Sequence, residues 1–149
     1  MSYAAYSPAK VKAPVSFLSS LSLSDEPLTA HRQIVEGLRP AMVTKLAELL
    51  GLDAKTICLV AGIDRTTFAR KAKVTALLSP DQSARIYWFA KVLDAATSLH
   101  EGDKAKALAW LQRPAWGLGG QKPEDLLTTA TGAQAVIDLI GQIEHGIAI

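Results

Sequence analysis

The chain has 149 residues, a formal net charge of +2 and one cysteine, which suits one or two small domains and excludes an internal disulfide framework. Because 49% of the residues are hydrophobic and only 6% aromatic, the composition supplies a core and favours helices over sheet. No apolar run reaches the roughly 20 residues of a membrane span, and the N-terminal one is too short for a signal peptide, so we expect a cytoplasmic protein with no membrane partner.

The first 28 residues are rich in serine, proline and alanine, and their three prolines exclude a long helix. We therefore expect an N-terminal arm over residues 1–28 that is mobile. The residues through which it could dock weakly on the rest of the chain are Phe17, Leu18 and Leu21.

Eight helices are expected to follow, and residues that favour caps and turns mark several of their ends. Pro40 suits a first helical position, and Gly51 lies just past the end of the same helix. Ser79, Pro80 and Gln82 form a capping-box pattern ahead of the longest helix. The expected helices cover residues 28–38, 40–50, 54–61, 65–73, 80–99, 102–112, 123–128 and 132–145.

Residues 53–73 have the outline of a helix-turn-helix, the motif that places its second helix in the DNA major groove. Gly62 allows the sharp turn, and Ile63 and Phe68 fall where the motif needs apolar residues. The second helix carries four basic side chains and no acid, which suits phosphates and base edges. The predicted DNA-binding residues are Arg65, Thr66, Thr67, Arg70, Lys71 and Lys73.

One position departs from the usual motif. Lys71 stands where a further apolar residue is common, so we expect Ala72 or Val74 to substitute for it in the packing. A solvated basic helix without a DNA partner stays open as the alternative. Because one copy presents a small footprint, operator binding would require a dimer on paired half-sites.

The helix over residues 80–99 is apolar on nearly all sides. A helix of this kind is expected to be buried on both sides, and a chain this short offers little protein to cover both. We therefore predict a dimer in which one apolar stripe contacts a second copy. The predicted self-association residues are Trp88, Val92, Ala95 and Leu99. The narrow strip that stays polar holds Tyr87, Lys91, Asp94 and Ser98.

Residues suited to catalysis or metal binding are not grouped in the sequence. His31, His100 and His145 lie far apart, without the ligand spacing of a zinc site. No serine, histidine and acid carry a nucleophile signature, and the glycines of residues 117–120 lack the Lys-Ser/Thr pair of a phosphate loop. We expect no enzyme activity, no catalytic residue, no metal and no cofactor.

The C-terminal half carries a distinctive string of residues. The string is Ala109-Trp110-Leu111, Pro114, Leu118-Gly119-Gly120, Pro123, Asp125-Leu126-Leu127, Gly132, Val136, Leu139, Ile143 and Gly146. It resembles the toxin-binding domain of the Xre/MbcA/ParS antitoxin family, and the helix-turn-helix and long helix before it follow that family's order of parts. The resemblance covers roughly residues 30–149. Ala115 and Gln121 depart from it, because an asparagine and a basic residue are common at these positions.

This resemblance implies an all-α antitoxin of a type II toxin–antitoxin system. Such a protein binds a RES-domain toxin that degrades NAD and obstructs its cleft, and the complex represses its own operon at operator DNA. The implied parts are the helix-turn-helix region with the long helix over 29–101 and the toxin-binding domain over 102–149. The arm over 1–28, expected from its composition, has no counterpart in the family. The rival interpretation is a free-standing helix-turn-helix transcription regulator whose C-terminal domain only dimerises.

Two features of the C-terminal part are candidates for toxin contact. Trp116 lies in a glycine-rich loop and suits an interface anchor, whereas Trp110 is more simply interpreted as core. The apolar C-terminal tail ends in a carboxylate, which suits a plug for a cleft that binds a dinucleotide. The predicted toxin-binding residues are Trp116, Leu118, Gly119, Gly120, Glu144, His145, Gly146, Ile147, Ala148 and Ile149.

Overall fold

Seven of the eight predicted helices lie close to where the sequence predicts them, with shifts at their ends. The eighth, predicted over residues 123–128, is a 3-10 turn, and a short helix over residues 17–20 is additional. The computed structural model of the chain describes residues 16–146. The helices are α1 (Phe17–Ser20), α2 (Pro27–Glu36), α3 (Pro40–Leu50), α4 (Ala54–Ala61), α5 (Arg65–Lys73), α6 (Pro80–Leu99), α7 (Lys104–Leu111) and α8 (Ala130–Glu144). Two 3-10 turns, Trp116–Leu118 and Pro123–Leu126, lie between α7 and α8. Within these residues there is no strand, which confirms the all-α prediction, and no helix long and apolar enough to cross a membrane.

Local capping fixes the ends of several helices. At the start of α6, the Ser79 hydroxyl accepts a hydrogen bond from the Gln82 N–H at 3.1 Å, and Gln82 Oε1 accepts one from the Ser79 N–H at 3.0 Å. This is the predicted capping box. At the end of α3, Gly51 adopts a left-handed conformation with φ of +67°, which lets the chain turn without strain.

Helix α6 is the centre of the core, because α1, α2, α4, α7 and α8 all pack against it. Val92, predicted to contact a second copy, is 0% exposed and therefore belongs to the interior. The prediction is wrong at this residue because the chain's own helices cover it. The other three predicted self-association residues, Trp88, Ala95 and Leu99, are half-buried against the core.

Residues 16–24 pack onto the core, so the prediction of a mobile arm is wrong for this part of the chain, whereas the predicted docking residues Phe17, Leu18 and Leu21 are buried as expected. The Asp94 carboxylate on α6 accepts a hydrogen bond from the Ser16 hydroxyl at 2.8 Å and two more from the backbone N–H groups of the next two residues. We call residues 16–24 the N-terminal brace; residues 25–28, which follow it, are exposed. The remainder of the predicted arm, residues 1–15, lies outside the described residues. The buried side chains of the brace are Phe17, Leu18, Leu21 and Leu23.

Three further side chains hold the N-terminal brace. The Tyr87 hydroxyl donates to the Ser24 carbonyl oxygen at 3.1 Å, and because Tyr87 is buried, its predicted place in the polar strip of α6 is wrong. The Gln33 amide donates to the Ser22 carbonyl oxygen at 3.0 Å and accepts from the Ser24 N–H at 2.8 Å. The Lys104 ammonium lies 5.7 Å from the centroid of the Phe17 ring, a cation–π contact. The brace therefore contacts α2, α6 and α7.

Candidate nucleic-acid and protein interfaces

Helices α4 and α5 meet at the tight turn that the sequence predicts. Gly62 ends α4 with φ of +75°, a conformation that glycine adopts without strain. Ile63 is buried and Phe68 is half-buried against the core. Asp64 caps α5, because its carboxylate accepts hydrogen bonds from the Thr67 N–H and hydroxyl, both at 2.8 Å. Both bonds lower the pKa of Asp64 below its ordinary value, and the backbone bond has the larger effect.

Helix α5 presents a basic face to solvent. None of its residues is buried, and four of the six predicted DNA-binding residues are exposed: Arg65, Thr66, Arg70 and Lys73. Thr67 is half-buried and its hydroxyl is bound to the capping carboxylate. Within residues 16–146, the cations of α5 take part in no ion pair. Their positive charge is therefore available to phosphates and base edges.

Lys71 lies apart from that exposed face. Its ammonium donates to Gln82 Oε1 at 2.9 Å, at the start of α6, and the side chain is half-buried. Ala72 and Val74, the expected substitutes in the packing, are both exposed. That expectation is wrong, because Lys71 itself turns toward α6 and has a hydrogen-bond partner for its charged end there.

The turn of the helix-turn-helix touches the C-terminal part of the chain. Arg85 on α6 donates to the Ala61 carbonyl oxygen at the end of α4, at 3.3 Å. A Cβ atom placed on Gly62 would lie 2.6 Å from Arg85 Nη1 and 2.9 Å from the Thr128 methyl carbon. Sequence reasoning missed this contact, because neither Arg85 nor Thr128 belongs to a motif and both are distant from the turn along the chain.

The loop between α7 and α8 holds the most exposed large hydrophobic side chain of residues 16–146. Trp116 is 86% exposed. The loop is closed by backbone hydrogen bonds, from Ala115 N–H to the Gln121 carbonyl and from Gly120 N–H to the Ala115 carbonyl, both at 3.0 Å. Leu118 is partly buried and anchors the loop to the core. The indole is therefore held in solvent on a preformed loop.

The remaining predicted toxin-binding residues fall into two groups. Gly119 and Gly120 are exposed in the same loop as Trp116, and its first 3-10 turn packs against α8. Glu144 ends α8, and the two residues that follow it, His145 and Gly146, are exposed. The predicted tail contacts at Ile147, Ala148 and Ile149 lie outside the described residues. Ile143 is 37% exposed. The sequence pattern did not predict this, because the spacing of Ile143 matches the core face of α8.

The His100 and Cys58 side chains are accounted for by packing and burial. The His100 ring centroid lies 6.5 Å from that of Trp110, which is half-buried against the core as interpreted from the sequence. Burial raises the pKa of the Cys58 thiol, which keeps it protonated. Among residues 16–146, no three histidine, cysteine, aspartate or glutamate side chains come together as metal ligands.

These features define a helix-turn-helix protein with a second, protein-binding region. Residues 29–91 match the Antitoxin Xre-like helix-turn-helix domain, and residues 95–146 match the Antitoxin Xre/MbcA/ParS C-terminal toxin-binding domain. An Antitoxin Xre of Photorhabdus laumondii is 40% identical over 112 residues, 75% of this chain and 76% of that protein. An Antitoxin Xre of Yersinia enterocolitica is 44% identical over 86 residues, 58% of each chain. The chain belongs to the Xre/MbcA/ParS antitoxin family.

Membership of this family confirms the resemblance carried by the C-terminal string. A type II antitoxin with a DNA-binding and a toxin-binding domain has a regulatory role rather than an enzymatic one. The match of residues 95–146 to a toxin-binding domain favours this function over a free-standing transcription regulator. The first matched region ends and the second begins inside α6, with three residues between them, and the N-terminal brace lies outside both.

Proposed function

We propose that the chain neutralises a RES-domain toxin that degrades NAD, and that the complex binds operator DNA and represses its own operon. The resemblance of the C-terminal string implies the RES partner, and family membership supports toxin binding and DNA binding in general. One structural observation carries the proposal: the exposed indole of Trp116 stands on a preformed loop within the matched toxin-binding region.

The loop that carries Trp116 has the properties of an interface anchor. Tryptophan is enriched among the few residues that dominate the binding energy of protein interfaces. Because backbone hydrogen bonds already close the loop, ordering it on toxin binding would cost little conformational entropy. We propose that the C-terminal tail, residues 146–149, supplies a second contact by entering the toxin's cleft.

Trp116→Ala should weaken toxin binding by about 2 kcal/mol or more, which is roughly thirty-fold. The measurement is the dissociation constant of the complex with the toxin encoded next to this chain, after co-expression, together with the NAD consumed by the complex. Leu28→Ala is the matched control, because Leu28 is 67% exposed but lies in α2, outside the matched toxin-binding region.

Equal binding by the Trp116 variant and the control would contradict the role of the loop.

In the same assay, a chain that lacks residues 146–149 should bind the toxin yet leave part of its NAD degradation active. Full inhibition by this shortened chain would contradict the plug. If the natural chain neither binds nor inhibits its neighbour, the proposed toxin partner is wrong.

Operator binding is proposed to use the exposed face of α5, with Arg70 at base edges and the neighbouring cations at phosphates. The helix has only 9 residues, so one copy covers a small part of the DNA. We propose that two copies bind paired half-sites, as helix-turn-helix proteins commonly do. With Val92 buried, the half-buried Trp88, Ala95 and Leu99 remain candidates for contact between copies.

A further inference from the structure

Lys71 and Gln82 join the second helix of the motif to the helix that follows it. The Lys71 ammonium donates to Gln82 Oε1 at 2.9 Å, and the same oxygen accepts the Ser79 N–H at 3.0 Å. Both side chains are half-buried. One amide oxygen therefore serves two purposes, because it caps α6 and receives the charged end of a side chain from α5.

Helix α5 packs against α3 and α4, but only shallowly. It contains no buried residue, and Phe68 is only half-buried against the core. The chain leaves α5 through the exposed residues Val74 and Thr75, the second of which has a left-handed φ of +52°. Among the hydrogen bonds of residues 16–146, the bond from Lys71 to Gln82 is the one through which an α5 side chain reaches another helix.

We propose that Lys71 is a positioning residue for DNA recognition, whose ammonium fixes α5 to the start of α6 instead of contacting a DNA phosphate. The proposal rests on the DNA binding proposed above and revises the sequence prediction, which counted Lys71 among the DNA contacts. The exposed residues of α5 make the contacts, and Lys71 holds the helix at the angle from which they reach the groove.

The dependence of binding on salt separates a positioning lysine from a phosphate-binding one. Each phosphate that a cation neutralises adds about 0.9 to the slope of log affinity against log salt, because counterions are released. Lys73 is exposed, has no partner among residues 16–146, and lies two positions away on the same helix. It is therefore the matched control for Lys71.

The experiment measures binding of the full chain, alone and with its toxin, to a duplex made from the upstream region of its own gene. Lys71→Met keeps the length of the side chain and removes the donor. We expect it to lower the affinity about ten-fold with an unchanged salt slope, whereas Lys73→Met should reduce the slope by about 0.9. A slope that falls equally in both variants, or an unchanged affinity in Lys71→Met, would overturn the proposal.

Variants of the acceptor test the same bond from its other end. Gln82→Glu keeps the acceptor and the capping box and should retain the affinity for the duplex. Gln82→Met should lose it about as far as Lys71→Met, and the double variant should lose no more than either one. Additive losses would show that the two side chains act independently and would overturn the proposal.

Amide exchange in α5 distinguishes a failure of this proposal from a failure of the proposed function. If the natural chain binds no DNA in either form, the DNA-binding part of the proposed function is wrong. The exchange rates still decide the role of Lys71, because Lys71→Met should speed exchange in α5 and Lys73→Met should not. Equal rates in the two variants would overturn the proposal whatever the result with DNA.

Discussion

Gly132 lies in the first turn of α8, where the helix packs against the backbone of the preceding 3-10 turn. A Cβ atom at this position would overlap the Leu126 carbonyl oxygen, which belongs to backbone and cannot move aside cheaply. Gly141, in the same helix, has no such neighbour, since an added Cβ would meet no atom within 4 Å. The packing therefore requires a glycine at position 132, whereas position 141 has room for a larger side chain.

Gly132→Ala should destabilise the chain by about 1–3 kcal/mol, because the added methyl group forces the helix away from the turn. Gly141→Ala should stabilise it by about 0.5–1 kcal/mol, because alanine restricts the unfolded chain and fits the helix. Urea unfolding followed by circular dichroism measures both. A shift of the same sign in the two variants would contradict the packing at Gly132.

At the scale of single residues, the sequence predicts what depends on near neighbours. The capping box at Ser79 and the turn at Gly62 could be predicted because the residues that make them lie a few positions apart. The partner of Lys71 could not, because an ammonium has a long reach and several acceptors suit it equally. The exposure of Trp116 was indicated only by the glycines around it.

We expect α5 to depend on its N-cap more than α4 does, because none of its side chains is buried whereas three of α4 are. Hydrogen bonds from Thr67 lower the pKa of Asp64 from its ordinary value of 3.8. A folded pKa below the unfolded one means that the stabilisation is present above pH 3.8 and is lost as the pH falls through the folded value.

We therefore expect amide exchange in α5 to accelerate as the pH is lowered below 3.8, relative to exchange in the core of α6. Asp64→Ala should give this faster exchange at neutral pH and remove its acid dependence. Asp53→Ala is the control, because Asp53 begins α4 without a side-chain capping bond. If the two variants behave alike, the cap is not what holds α5.

The sequence pattern gives the type of each element more securely than its surroundings. The apolar stripes of α6 were identified correctly. The segments that pack on those stripes were not, because they are residues 16–24 and helices distant in the chain. The prolines of the N-terminal part correctly exclude a long helix. They do not exclude a four-residue helix such as α1, whose first N–H groups bind Asp94, 77 positions away from Phe17.

At the scale of the whole molecule, contacts between distant segments join the two matched regions. The N-terminal brace contacts α2 in one region and α7 in the other, although it belongs to neither. The Lys104 ammonium on α7 also donates to the Leu49 carbonyl oxygen near the end of α3, at 3.2 Å. We therefore expect the DNA-binding and toxin-binding regions to unfold together.

Asp94→Ala should lower the free energy of unfolding by about 1.5–3 kcal/mol, because three hydrogen bonds from the brace lose a charged acceptor. Exchange should accelerate in both α2 and α7. Asp138→Ala is the control, since Asp138 is exposed and accepts only from Gln134, and should change stability by about 0.5 kcal/mol or less. Faster exchange confined to one region would contradict the joint unfolding.

Helix α6 has 20 residues and runs without a break from one matched region into the other. At about 1.5 Å and 100° per residue, its length sets both the distance and the rotation between the surface that meets DNA and the surface that meets the toxin. In the proposed complex on operator DNA, a bound toxin would therefore keep a fixed direction around the axis of the duplex. The number of base pairs between two half-sites, at about 10 per turn, would decide whether neighbouring toxins stand side by side or on opposite sides of the DNA.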